Sequence, residues 1–106
     1  MRVNEFMLNL HKRFMDDKDV VEATATKYIK NLYLLNNKQP FTNLAFLKKV
    51  SVINDRIKPY ATSTKKGLII AVVAGLSFEK NKPSYKRTYQ YWNEKLHELQ
   101  LELDGK

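Results

Sequence analysis

Apolar positions recur at three- and four-residue steps through most of the chain, the period of a helix that buries one face. Val3, Phe6, Met7, Leu10 and Phe14 predict an amphipathic helix over about 3–15, ended by Asp16, Asp17 and Asp19. Thr24 or Thr26 then caps a second helix that buries Tyr28, Ile29, Leu32 and Leu35 and lines up Lys27, Lys30 and Asn31 on its other side. Asn36, Asn37 and Lys38 close it, and Pro40 forbids continuation. Thr42 or Asn43 caps a third helix with Leu44, Leu47, Val50, Ile53 and Ile57 as its apolar stripe and Phe46 beside it. Lys48, Lys49, Arg56 and Lys58 decorate its outside, and Pro59 stops it.

The stretch Thr62 to Leu76 (TSTKKGLIIAVVAGL) is the centre of the pattern. Thr62, Ser63 and Thr64 are N-cap types, and Ile69, Val72, Val73 and Leu76 repeat at helical spacing. A helix over about 63–78 is the reading. The run is β-branched, and Gly67 and Gly75 each weaken a helix by about 1 kcal/mol relative to Ala, so a buried strand competes; no convincing partner strand exists elsewhere. The two glycines suit close approach of a neighbouring backbone. After a polar turn, EKNKP, Ser84 caps a last long helix. Its Tyr85, Tyr89, Trp92, Leu96, Leu99 and Leu103 step by four and three as a heptad seam. Such a seam packs on its own bundle, or serves as a dimer or partner-docking face.

The whole is an all-α chain, a compact four- to five-helix bundle in one domain of 106 residues. Residues 1–23 form the N-terminal helix and acidic turn, 24–83 a basic core, and 84–106 the long C-terminal helix. Only 3 Gly and 3 Pro punctuate it, which favours long helices. Without cysteine there is neither a disulfide framework nor a thiolate metal site, and an intracellular setting fits. No apolar run reaches the roughly 20 residues of a membrane span, and the N-terminus lacks the features of a signal peptide.

Charge changes the picture more than composition does. The net charge of +8 is segregated: residues 24–93 hold 13 basic groups and two acids, Asp55 and Glu79. The two ends are slightly acidic. A surface kept positive for solubility explains the total but not the segregation, whereas a polyanionic partner explains both. Lys65 and Lys66 sit in a first helical turn, where the helix dipole favours anions. With backbone N–H groups and the hydroxyls of Thr62, Ser63 and Thr64 they define a candidate phosphate site. An ordinary cap beside two solvated lysines is the competing reading. Lys86 and Arg87 sit near the start of the last helix, again beside its positive end.

Motifs for chemistry are missing. His97-Glu98 would open a zinc-protease motif, but Leu101 stands where the second His belongs. Asp16, Asp17 and Asp19 lack the Gly and closing Glu of a calcium loop. Lys65-Lys66-Gly67 lacks the glycine spacing of a phosphate loop, and no nucleophile sits in a recognisable local motif. The expectation is no catalytic residue, no metal, no cofactor and no small-molecule substrate. Six tyrosines among lysines suit a single-strand stacking platform. However, Tyr28, Tyr85 and Tyr89 fall on core stripes, leaving Tyr33, Tyr60 and Tyr91 freer.

The order of elements resembles a known family. Thr24, Tyr28, Ile29 and Leu32 are followed by Asn43, Leu44, Phe46, Leu47, Lys48, Lys49, Ile53 and Ile57. Then come Ser63, Thr64, Lys65 and Lys66, and the apolar positions from Ile69 to Leu76. Over roughly residues 24–80 this looks like the helical core-binding domain of tyrosine recombinases, the SAM-like N-terminal domain of phage and virus integrases. The resemblance implies a bundle that clamps one face of duplex DNA during recombination or integration. Two helices then approach the major groove. By matching positions, the DNA-facing residues are Lys27, Lys30, Asn31, Thr62, Ser63, Thr64, Lys65 and Lys66; Lys86 and Arg87 join them from charge alone. The family's catalytic Arg, Lys, His-x-x-Arg and Tyr belong to a second domain and have no counterpart here, so the module is expected not to cut DNA. Asn- and Lys-rich usage also points to an AT-rich genome such as that of a virus. The alternative function is a protein-interaction or dimerisation module using the seam from Tyr85 to Leu103. A binder of RNA or single strands is a third.

Overall fold

Five α-helices and one 3₁₀ turn, without strands, make up the described residues, 2–105, of the computed structural model. The helices are α1 (Glu5–Asp17), α2 (Glu22–Leu35), α3 (Val50–Ile57), α4 (Thr62–Leu76) and α5 (Pro83–Asp104), with the 3₁₀ turn at Ala45–Lys48 before α3. The Cα radius of gyration, 13.2 Å, is that of one domain of about 100 residues.

Helix α4 is the axis of the bundle. It packs against α1, α2 and α5, and this surround explains its composition. Leu68, Ile69, Ala71, Val72, Gly75 and Leu76 are all buried. A helix apolar around most of its girth must be enclosed by others. Neither glycine marks a close backbone approach: a Cβ at Gly75 would make ordinary contact with Leu44 Cδ1 at 3.4 Å and Leu32 Cδ1 at 3.6 Å. A Cβ at Gly67 would enter open space.

The stripes of the outer helices face this axis. Met7, Leu10 and Phe14 are buried from α1, and Ala25, Ile29, Leu32 and Leu35 from α2. The Phe14 ring stands edge-on to Tyr28 at 5.2 Å. The heptad seam of α5 closes on its own bundle: Trp92 and Leu99 are buried, with Tyr85, Tyr89 and Leu96 packed against the core. Trp92 Nε1 donates to Leu47 O at 3.0 Å, so the buried indole satisfies its polar atom on the 3₁₀ turn.

Local chemistry departs from the sequence pattern at the caps. Asn4 caps α1, its side chain accepting from the Met7 N–H at 2.9 Å. Asp16 and Asp17 lie within the last turn of α1 rather than beyond it. Val21 precedes α2 without a side-chain cap, so neither Thr24 nor Thr26 caps it; both are inside the helix. Thr26 instead pairs with His11 Nε2 at 3.0 Å. The expected third helix is two pieces, because Lys49 leaves helical geometry (φ −81°, ψ 70°) between the 3₁₀ turn and α3. The break lets Leu44 and Leu47 on one side and Ile53 and Ile57 on the other all reach the core. Ala61 and Lys82 occupy the N-cap positions of α4 and α5, neither with a side-chain bond; Pro83 opens α5 and Ser84 lies inside it. Pro is suited to a first helical position because its missing N–H would be unpaired there anyway.

Candidate nucleic-acid interface

Helix α2 meets the first turns of α4 along a polar seam. Asn31 Nδ2 donates to Gly67 O at 3.3 Å. Around this bond lies an open groove of about 250 Å³, lined by Lys27, Asn31, Leu34, Ser63, Thr64, Gly67 and Leu68. The spacing explains the assembly. Lys27 and Asn31 are one turn apart on α2, and Ser63–Gly67 and Thr64–Leu68 are one turn apart on α4, so each pair presents one face.

The chemistry of the groove suits an anion. Ala61 supplies no side-chain cap, and no acid lies in the first turn of α4. The free N–H groups of that turn and the positive helix end therefore stay available. Ser63 and Thr64 are exposed hydroxyls, able to donate to a phosphate oxygen. Lys27 is exposed at the groove edge and carries the only formal charge among the lining residues.

The structure splits the remaining candidates. Thr62, Lys65 and Lys66 turn away from α2 toward α5, because successive helical positions rotate by about 100°. Thr62 Oγ1 donates to Glu102 Oε1 at 3.4 Å. Lys65 lines a cleft shared with Asp55, Lys58, Lys95 and Glu102. Lys66 lines the broad α4–α5 cleft of about 610 Å³ with Glu94, His97 and Glu98. Lys30 is exposed on α2 but does not line the groove. Lys86 and Arg87 are exposed at the far end of α5: Glu102 sits beside the start of α4, and Lys86 precedes it by about 24 Å of helix. The ten candidates are thus not one cluster. Four of them, Lys27, Asn31, Ser63 and Thr64, meet in the groove.

Sequence reasoning passed over Lys38 and Arg56. Both line a second recess, of about 290 Å³, at the C-terminal end of α2 with Leu34, Leu35, Asn37 and Tyr60. Arg56 Nη1 donates to Leu35 O. For Lys38 the available signal was the complete lack of acids between Glu22 and Asp55, whereas Arg56 directly follows Asp55. Of the tyrosines expected to be free, Tyr60 is exposed beside this recess, Tyr33 is half-buried, and Tyr91 OH accepts from Asn54 Nδ2 at 2.8 Å.

Among the described residues no helix is long and apolar enough to cross a membrane. No group of three or more His, Asp or Glu among them is placed to hold a metal ion. The chain matches no protein-family model, no curated protein and no solved structure.

Proposed function

We propose that this chain is a non-catalytic helical module that grips duplex DNA mainly through backbone phosphates, as the core-binding domain it resembles does in tyrosine recombinases and integrases. The observation that carries the reading is the acid-free groove in which α2 and α4 bring Lys27, Asn31, Ser63 and Thr64 together. The broad α4–α5 cleft supports it by contrast, since its acids Glu94 and Glu98 outnumber Lys66; in the neighbouring cleft Lys58, Lys65 and Lys95 outnumber Asp55 and Glu102. A polyanion is favoured at the groove and disfavoured at the broad α4–α5 cleft.

Lys27 neutralises phosphate. Ser63 and Thr64 donate to phosphate oxygens, and these contacts set register without reading sequence. Asn31 is the residue of the set suited to a base edge, although its amide already serves Gly67. With 15 Lys against 4 Arg, the usual guanine reader is scarce. Affinity by this domain is therefore phosphate-dominated and weakly sequence-selective. Its place is with the DNA, inside the cell.

Fluorescence anisotropy on labelled duplex DNA across a salt series tests this. The expected log–log slope is negative, about −0.9 for each phosphate that Lys27 and the exposed cations beside the groove neutralise. Duplex RNA and single-stranded DNA compete more weakly. Failure to bind duplex DNA at low salt sinks the reading, and preference for either competitor moves the function to that class of nucleic acid.

A further inference from the structure

The groove between α2 and α4 is not isolated. Leu34 lines both it and the recess at the end of α2. The two depressions therefore flank the same Leu34 side chain on α2. From Lys27 to Leu34 the helix runs about 10 Å by helical rise, the axial length of about three base pairs. The second recess is lined by two cations, Lys38 and Arg56, and no acid.

We infer that the bound nucleic-acid backbone continues past Leu34 into this second recess, where Lys38 and Arg56 take a further phosphate beside Tyr60. The inference rests on the DNA-binding reading above and extends its footprint to residues that neither the charge pattern nor the resemblance selected. Arg56 has a structural duty as well. The carbonyls of Leu32, Tyr33 and Leu34 accept from the N–H groups of Asn36, Asn37 and Lys38 that follow the helix. The Leu35 carbonyl accepts from Arg56. That bond uses one of five guanidinium donors and holds the planar group at the recess, preorganised for phosphate. It also offsets the negative end of α2, which would otherwise repel an anion. Lys38 has no such duty: its side chain is exposed, and its backbone sits in the left-handed region at φ 57°.

Lys38→Asn is the decisive variant, because Asn tolerates left-handed geometry and the fold keeps its turn. Duplex binding is measured across the salt series for the unaltered chain, Lys38→Asn, Arg56→Gln, Lys27→Gln and Lys95→Gln, with a thermal melt of each. Lys38→Asn and Arg56→Gln are expected to lower the slope by about 0.9 each, as Lys27→Gln does. Lys95→Gln, in the acid-containing cleft, leaves it unchanged. If Lys38→Asn retains the full slope while Lys27→Gln loses its share, the path ends at the groove and the inference is overturned, with the DNA-binding reading intact. If the unaltered chain does not bind, both fall. Should Arg56→Gln melt below the assay temperature, Lys38→Asn decides alone.

Discussion

The side-chain amide of Asn31 on α2 donates to the backbone carbonyl of Gly67 on α4 at 3.3 Å, joining the two helices that wall the basic groove. The acceptor is an interior carbonyl of α4, so the bond sets spacing rather than completing a helix end. Asn31→Ala is expected to lower stability by about 1 kcal/mol, the net worth of a part-buried hydrogen bond. It also weakens duplex binding as the groove loosens. Asn31→Asp fares worse on both counts, because a carboxylate faces the Gly67 carbonyl and then the phosphates. Urea denaturation and anisotropy on the same samples check the pair.

Gly67 allows stability and binding to be separated. A methyl group there meets nothing within 4 Å and projects into open space, while Gly67 lines the groove. Gly67→Ala is expected to raise stability by about 0.5–1 kcal/mol through helix propensity and yet to reduce duplex affinity. At Gly75 the new methyl makes ordinary van der Waals contact with Leu44 and Leu32, so Gly75→Ala is expected to gain at least as much stability and to leave binding alone. Equal effects of the two substitutions on affinity would place the DNA elsewhere.

Lys65 and Lys66 provide the test of facing. Both flank the same helix start as Ser63 and Thr64 but line clefts on the α5 side. Lys65→Gln and Lys66→Gln are expected to change the salt slope less than Lys27→Gln, although each remains within a Debye length of about 10 Å at 0.1 M salt. A larger loss from Lys66→Gln than from Lys27→Gln in anisotropy assigns the contact to the other face of α4.

Trp92 reports on the core. Its indole N–H donates to the Leu47 carbonyl in a fully buried setting. Trp92→Phe removes volume and strands that carbonyl, a loss of about 2–3 kcal/mol. Circular dichroism across a urea titration measures it, since the substitution removes the fluorophore. Binding by the folded fraction is unchanged.

Much of the architecture was legible because periodicity is a property of the chain. The stripe Met7, Leu10 and Phe14, the stripe Ile29, Leu32 and Leu35, and the seam through Trp92 and Leu99 all lie in the core. The caps were less legible. Hydroxyls at 62–64 looked like a cap, but Ala61 takes the N-cap position, and the helix end is left without a side-chain partner. Nor did the continuous stripe from Leu44 to Ile57 reveal the break at Lys49, since the same residues reach the core from either side of it.

The sequence by itself determined most of the helices, their buried faces and the excess of basic over acidic groups in residues 24–93 that makes this part of the chain a polyanion-binding candidate. It did so because side-chain hydrophobicity and charge act locally, at a spacing read directly along the chain. Only the tertiary structure decided which cations share a surface. Lys27 and Ser63 meet because α2 packs on α4, Lys65 and Lys66 part from them because helical rotation carries them toward α5, and Lys38 joins Arg56 because the α2 turn folds back beside α3. Those relations depend on helix packing between residues distant in sequence, which no local period encodes.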